Sequence, residues 1–170
     1  MTEKNKALAQ GLLDAYKAEQ YGHNFYLMAA NSTTDAKGKE VFQMLAAEEL
    51  DHARFLRAQY DALILTGKPS TSVVLGRRFD LTGMSPIFSD GLKARIKEAN
   101  FEMTALSIGI QLERDAMTFY RSQSDQANDP DIKKMFSTLA DWESGHYQGL
   151  LRQHEELKED YWSTGGFAPF

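Results

Sequence analysis

The stretches Glu49-Leu50-Asp51-His52 and Glu143-Ser144-Gly145-His146 carry the same Glu-x-x-His pattern. A lone glutamate, Glu19 or Glu113, lies 30 residues before the glutamate of each stretch. A shift of 94 residues therefore carries the first three side chains onto the second three. In a helix, residues i and i+3 lie about one turn apart on one face, so each pair can direct both side chains toward one ion.

These side chains form a ligand set for two metal ions. Four carboxylates and two imidazoles suit iron or manganese better than copper or a structural zinc ion. Helix bundles that bind two iron or manganese ions carry one glutamate on each of two helices and Glu-x-x-His on each of the other two. A single Glu-x-x-His often lies on a solvated helix surface, whereas two copies in register with upstream glutamates indicate a metal centre. The predicted ligands are Glu19, Glu49, His52, Glu113, Glu143 and His146.

The repeat extends beyond the ligands to apolar, aromatic and amide side chains. It predicts two copies of one helical hairpin, related by an approximate two-fold axis. Helices need buried apolar faces, but buried charge is costly unless it is paired or bound to metal, so the recurring Glu and His need another reason. The recurring residues include Leu12, Phe25, Tyr26, Phe42, Leu45, Leu56, Gln59 and Leu63, which return as Leu106, Phe119, Tyr120, Phe136, Leu139, Leu150, Gln153 and Leu157.

Length and composition favour one globular domain over residues 1–170, because 42% of the residues are hydrophobic. The net charge is −5 and no basic run occurs, so we expect no nucleic-acid partner. The sequence contains no cysteine, which excludes a disulfide and a cysteine-ligated iron centre within it. The first residues lack the apolar stretch of a signal peptide and no run reaches membrane-spanning length, so we expect a cytoplasmic protein without a membrane partner.

Four long helices are predicted, with short turns inside each hairpin and a long connection between the second and third helices. Asp129-Pro130 offers a capping residue and a first-turn proline for the fourth helix. The long connection must cross over the bundle if all six ligands are to meet at one depth. The fold class is therefore an all-α four-helix bundle with a long crossover. The helices are predicted over about 4–30, 37–65, 100–126 and 130–161, with a short helical segment at 89–99 and a non-helical tail from about 162.

At four segments the chain resembles the ferritin-like di-iron carboxylate superfamily, in its rubrerythrin-like branch without a rubredoxin domain. The segments are Ala18-Glu-Gln-Tyr-Gly-His-Asn-Phe-Tyr26, Glu48-Glu-Leu-Asp-His-Ala53, Leu112-Glu-Arg-Asp-Ala-Met-Thr-Phe-Tyr120 and Trp142-Glu-Ser-Gly-His146. The resemblance spans about residues 5–160 and implies a ferritin-like bundle that holds two iron ions. It also implies that Glu49 and Glu143 bridge the ions, and that Glu19 with His52 and Glu113 with His146 are terminal ligands.

The resemblance further implies a redox function. Family members use a ferrous pair to reduce hydrogen peroxide or dioxygen, a reaction connected with oxidative stress. Rubrerythrins carry an additional glutamate one turn after the third-helix ligand, where this chain has Ala116. The substitution favours a six-ligand site like those of ferroxidases and di-iron oxygenases. Without a rubredoxin domain, electrons are expected from ferrous iron or from a separate donor protein.

Two alternative functions remain open at this point. A ferritin-like iron-storage subunit would assemble into a cage, but only ten residues follow Asp160, which leaves little room for the extra short helix of cage ferritins. An oxygenase acting on an organic substrate is expected to show a long apolar cavity at the metals. A homodimer is the expected assembly, since paired bundles are common in the family and two-fold dimers are the commonest oligomers.

Several side chains near the ligands have more than one possible role. Tyr26 and Tyr120 follow ligand glutamates by seven residues, so each phenol can donate either to a ligand carboxylate on a facing helix or to another core partner. His23 lies four residues after Glu19 and is interpreted as a ligand, as a partner of a ligand carboxylate, or as an ordinary histidine.

Glu48 and Asp141 lie beside the ligand positions in sequence. Adjacent helical residues face about 100° apart. Both are therefore predicted to lie on solvated helix surface, although either could orient a ligand histidine.

Overall fold

Five α-helices occur in the described part of the chain, which comprises residues 2–76, 78–84 and 86–165 of a computed structural model. No strand occurs in these ranges, and none of their helices is both long enough and apolar enough to cross a membrane. The helices are α1 (Glu3–Ser32), α2 (Ala36–Thr66), α3 (Asp90–Lys93), α4 (Asn100–Gln126) and α5 (Pro130–Gly165).

The long helices begin and end at capping groups that the sequence supplies. The Asp35 side chain accepts a 2.8 Å hydrogen bond from the Gly38 N–H at the start of α2. Gly67 ends α2 at φ 79°, a left-handed conformation that glycine adopts without a Cβ clash. Asp129 Oδ1 accepts from the N–H of Asp131 at 2.9 Å, so the predicted start of the last helix at Pro130 is confirmed.

The two hairpins, α1–α2 and α4–α5, pack as antiparallel pairs, and α1 also contacts α4. Their buried side chains form two hydrophobic clusters, one on each side of the layer that carries the predicted ligands. The 94-residue shift exchanges the clusters: Leu12 and Leu56 lie in one cluster, and their repeat partners Leu106 and Leu150 lie in the other. This exchange agrees with a pseudo-two-fold axis that passes through the ligand layer. The predicted all-α four-helix bundle with two repeated hairpins and a long crossover is thus confirmed.

The connection between α2 and α3 is the predicted crossover, and side chains of α2 and α5 hold it in place. Gln59 of α2 bonds both backbone groups of Ser70, donating to its carbonyl at 3.1 Å and accepting from its N–H at 2.8 Å. Gln153 of α5, the repeat partner of Gln59, accepts from the N–H of Ile87. The crossover therefore follows the α2–α5 side of the bundle from one end to the other.

Two predicted boundaries differ from the structure. The segment 89–99 forms the single turn of α3 and a 3₁₀ turn at Ile96–Glu98 rather than one continuous helix. The tail predicted from about 162 is wrong as far as residue 165, because α5 continues to Gly165. Residues 166–170 of that predicted tail lie outside the described residues.

Candidate metal centre

The structure brings all six predicted ligands together between the two hydrophobic clusters. Each is at most 5% exposed, which leaves almost no water to solvate four carboxylates. Their ligand atoms fall into two groups in which all atoms lie within 4.8 Å of one another. One group contains Glu49, Glu113, Glu143 and His146, and the other contains Glu19, Glu49 and His52.

The Nδ1 atoms of both histidines point into the carboxylates. Nδ1 of His52 lies 3.0 Å from Glu143 Oε1, and Nδ1 of His146 lies 3.3 Å from Glu143 Oε2. Glu143 thus approaches both imidazoles, and Glu49 belongs to both ligand groups. These are the two glutamates that the resemblance assigns as bridges.

The ligand atoms are short of hydrogen-bond donors and acceptors. Although some contacts are as short as 3.0 Å, they lack the alignment of hydrogen bonds, and seven buried polar atoms of the cluster have no hydrogen-bond partner among the residues that the structure describes. Such groups are rare in folded proteins and call for an explanation. Metal ions supply one, because carboxylate oxygens and neutral imidazole nitrogens donate lone pairs to a cation. The atoms are Glu19 Oε2, Glu49 Oε1, both nitrogens of His52, both carboxylate oxygens of Glu143 and His146 Nδ1.

Burial and mutual repulsion perturb the pKa values throughout the cluster. Burial raises the pKa of Glu49 well above its usual value, and the surrounding carboxylates raise it further. Burial likewise raises the pKa of Glu113 to about 8, despite the opposing effect of His146. Burial disfavours the charged imidazole of His52, but Glu143 outweighs this effect and raises its pKa to about 10. Without metal the cluster therefore retains protons near neutral pH, and metal ions must displace them.

Two tyrosines hold ligand carboxylates across the pseudo-two-fold axis. The Tyr26 hydroxyl on α1 donates to Oε1 of Glu113 on α4, and the Tyr120 hydroxyl on α4 donates to Oε1 of Glu19 on α1. Burial, together with the carboxylates, raises both tyrosine pKa values well above normal, so the hydroxyls stay protonated as donors. Of the two interpretations left open for Tyr26 and Tyr120, the structure therefore shows donation to the carboxylates of Glu113 and Glu19, which are predicted ligands.

Glu48 is not on the solvated surface, and the prediction that placed it there is wrong. The residue is 2% exposed, and its Oε2 atom lies 3.1 Å from Nε2 of His146. Its Oε1 atom accepts a 3.0 Å hydrogen bond from the N–H of Phe79 in the crossover. The rotation of about 100° from Glu49 turns Glu48 toward α5 and the crossover rather than toward water. The sequence offered one signal, because the repeat partner of Glu48 is Trp142, a large side chain typical of a covered position. Asp141 is exposed, as predicted.

His23 lies beside the cluster without joining it. Its Nδ1 atom donates to the backbone carbonyl of Ala46 on α2 at 2.6 Å. It belongs to neither ligand group, and within the described residues it makes no hydrogen bond to a predicted ligand carboxylate. Among the described contacts, His23 therefore joins α1 to α2.

A cavity of about 300 Å³ reaches the cluster between α1 and α4. It touches the ligands Glu19, Glu49 and Glu113, and Ala116 lies in its wall. The crossover covers the α2–α5 side, so this cavity approaches the ligands from the other side of the bundle. Small and apolar side chains make up much of the remaining wall, which also contains Tyr26, Tyr120 and the exposed Asp14, Tyr21 and Asp115. The small and apolar ones are Ala15, Ala18, Gly22, Leu112 and Phe119.

Comparison with known proteins agrees with this geometry. The family model described as Rubrerythrin matches residues 11–79 and 104–165, which include all six predicted ligands and most of the four long helices. No curated protein and no solved structure shows significant similarity to the chain. The family match and the fold imply a di-iron type of site, and the buried carboxylate and imidazole cluster fits it. The chain therefore belongs to the rubrerythrin family, within the ferritin-like superfamily of di-iron carboxylate proteins.

Proposed function

We propose that this protein is a non-haem di-iron oxidoreductase that reduces hydrogen peroxide or dioxygen. The observation that supports this most strongly is the set of buried ligand atoms without hydrogen-bond partners, gathered from four helices of a rubrerythrin-family bundle. Glu49 and Glu143 would be shared between two ions, while Glu19 with His52 and Glu113 with His146 would hold one ion each. Iron is the proposed metal, and manganese suits the same donors.

The chemistry needs a source of two electrons. Two bound ferrous ions would supply one electron each, which together with two protons convert hydrogen peroxide into two water molecules. Ferrous iron in solution or a separate donor protein would restore those electrons. A homodimer in the cytoplasm is the proposed state of the protein.

The protein's own groups prepare the site for this reaction. The hydroxyls of Tyr26 and Tyr120 fix the terminal glutamates on α4 and α1, so the carboxylates do not need to reorganise when ligand atoms are required. The two hydrophobic clusters above and below the ligand layer exclude bulk water. The α1–α4 cavity offers a small oxidant a route to the carboxylates.

Stopped-flow oxidation tests the proposal directly. Protein loaded anaerobically with ferrous iron is mixed with hydrogen peroxide or with dioxygen, and ferric absorption is followed. We expect a phase of rising ferric absorption during the stopped-flow measurement, and a faster phase with peroxide than with dioxygen. The Glu49→Ala protein, which lacks a shared ligand, should lose this phase. Rapid oxidation by dioxygen with almost none by peroxide would contradict peroxidase activity and favour a ferroxidase or oxygenase.

A second candidate function is oxygenation of a small apolar organic compound, which the apolar walls of the α1–α4 cavity favour. A volume of about 300 Å³ lies at the small end of ligand pockets. In such a reaction dioxygen places one oxygen atom in the substrate, and two electrons and two protons reduce the other atom to water. Toluene and labelled dioxygen test it: labelled oxygen in a toluene product would support oxygenation, and unlabelled, unchanged toluene would exclude this substrate class.

A further inference from the structure

At one pair of positions related by the internal repeat, the two residues differ in type, and they lie next to the two cluster histidines. Residue 48 and residue 142 are repeat partners, and each precedes a shared glutamate, Glu49 or Glu143. One is a glutamate and the other is a tryptophan. The surroundings of the two imidazoles therefore differ although the six ligands themselves repeat.

Glu48 fixes the ring of His146 and the position of its proton. With the carboxylate oxygen as acceptor, the 3.1 Å contact to Glu48 Oε2 places the hydrogen on Nε2 of His146. In the neutral ring, Nδ1 then presents its lone pair to Glu113 and Glu143, whose oxygens lie 3.5 and 3.3 Å away. The N–H of Phe79 holds the other oxygen of Glu48 at 3.0 Å, so the carboxylate is itself anchored to the crossover.

His52 has no such partner among the described residues. Its Nε2 atom is buried without a hydrogen bond, and the ring of Trp142 packs against it with centroids 5.2 Å apart. An indole can donate through its N–H but cannot accept from an imidazole N–H. No acceptor in the described part of the chain fixes the tautomer or the ring orientation of His52.

The two ligand groups also differ in size, and the larger one surrounds His146. The group around His146 brings four side chains within 4.8 Å of one another, whereas Glu19, Glu49 and His52 form a group of three, to which Glu143 adds only its 3.0 Å contact with His52 Nδ1. Hydrogen bonds from an outer acceptor to a ligating histidine raise its basicity, and their loss typically costs about 10- to 100-fold in metal affinity. Both observations favour the His146 side.

We propose that Glu48 makes the two metal positions unequal, so that the position at His146 and Glu113 binds its ion first and more tightly than the position at His52 and Glu19. Glu48 is thus a positioning residue that acts through His146. The inference rests on the metal binding of the proposed function, but not on the identity of the oxidant.

Calorimetric titration of the metal-free protein with Mn²⁺ tests the proposal. We expect two binding steps in the native protein. Glu48→Gln should weaken the tighter step by about 10- to 100-fold, because one amide oxygen cannot accept from both His146 and Phe79. Trp142→Glu offers His52 a matching acceptor. It should raise the affinity of the weaker binding step, so that it comes closer to the affinity of the tighter step. Glu102→Gln is the matched control: Glu102 is also buried, but it accepts from Thr33 away from the cluster, so both steps should stay unchanged.

Nitrogen-15 NMR of the histidine rings identifies the position that fills first. With one equivalent of Zn²⁺ as a diamagnetic probe, the Nδ1 signal of His146 should shift while that of His52 stays. Equal affinities at the two positions, filling of His52 first, or two unequal steps that Glu48→Gln leaves unchanged would overturn the inference and leave the di-metal function standing. No binding of any ion would overturn both.

Discussion

At Gly22 on α1, a substitution with alanine should have different effects on helix stability and on metal binding. A Cβ atom built on Gly22 would lie 2.9 Å from Oε2 and 3.4 Å from the carboxyl carbon of Glu49. Contacts that short require something to move. Glu49 belongs to both ligand groups, so any shift of its carboxylate affects both metal positions. Gly22→Ala should therefore disturb metal binding through Glu49.

The substitution should raise the stability of the metal-free protein and lower its affinity for metal. Replacing a helical glycine with alanine stabilises the helix by about 0.5–1 kcal/mol. In a chain of this length that raises the melting temperature of the metal-free protein by roughly 1–4 °C. Displacing a carboxylate that orients or bridges the ions should lower metal affinity by about 10- to 100-fold, which is about 1.4–2.7 kcal/mol. The metal-induced rise in melting temperature should then shrink by roughly 3–10 °C at a fixed metal concentration.

Gly11→Ala provides the matched control on the same helix. Its added Cβ would lie 2.7 Å from Oε1 of Gln123, a half-buried amide outside the ligand set that can turn aside. Thermal unfolding of the native, Gly11→Ala and Gly22→Ala proteins is measured with chelator and with saturating Mn²⁺. Gly11→Ala should gain stability in both conditions. If Gly22→Ala keeps the full metal-induced shift, Glu49 is not held at a metal ion and the reasoning fails.

Three further predictions concern the hydrogen bonds, the protons and the cavity wall of the site. Tyr120→Phe removes the donor to Glu19 and should weaken Mn²⁺ binding by about 10-fold or more without unfolding the protein; unchanged calorimetric affinity would contradict this role. The metal-free protein should lose stability toward urea as the pH rises from about 5 to 10. In the folded protein the pKa values of Glu113 (about 8) and His52 (about 10) lie above their usual values of 4.5 and 6.5. The native state therefore binds more protons than the unfolded state across this range, and its stability falls as those protons are lost. A free energy of unfolding that rises across this range would oppose that assignment. Ala116→Glu places a carboxylate in the cavity wall and should raise the ratio of peroxide to dioxygen oxidation rates in stopped flow, whereas an unchanged ratio would show that the missing glutamate does not limit the peroxide reaction.

The six residues of the buried cluster could be predicted from the sequence because metal binding would constrain both residue type and spacing. A Glu-x-x-His pair must share one helix face, and a repeated upstream glutamate must reach the same depth, so the sequence displays the constraint directly. Tyr26 and Tyr120 could be predicted near the site in the same way, because each lies seven residues after a predicted ligand and on the same helix face. Only the structure showed which acceptor each hydroxyl has. Helix ends at Gly67 and Pro130 were predictable from local capping chemistry.

The remaining features depend on the path of the crossover and on how the helices are rotated. Gln59 and Gln153 were visible as repeat partners, but their function is to bind the crossover backbone at Ser70 and Ile87, which no local pattern specifies. Glu48 was misplaced for the same reason, since its burial depends on the crossover residue Phe79 lying over it. The α1–α4 cavity arises from the space between two helices far apart in sequence, and periodicity alone does not determine that space.

Anomalous diffraction from crystals loaded anaerobically with ferrous iron tests the central claim most directly. We expect two peaks at the iron edge, separated by about 3.5–4 Å as in other two-metal sites. Glu49 and Glu143 should lie between them, with His52 beside one peak and His146 beside the other. A single peak, or peaks away from these side chains, would contradict the assignment of this cluster as a di-iron centre.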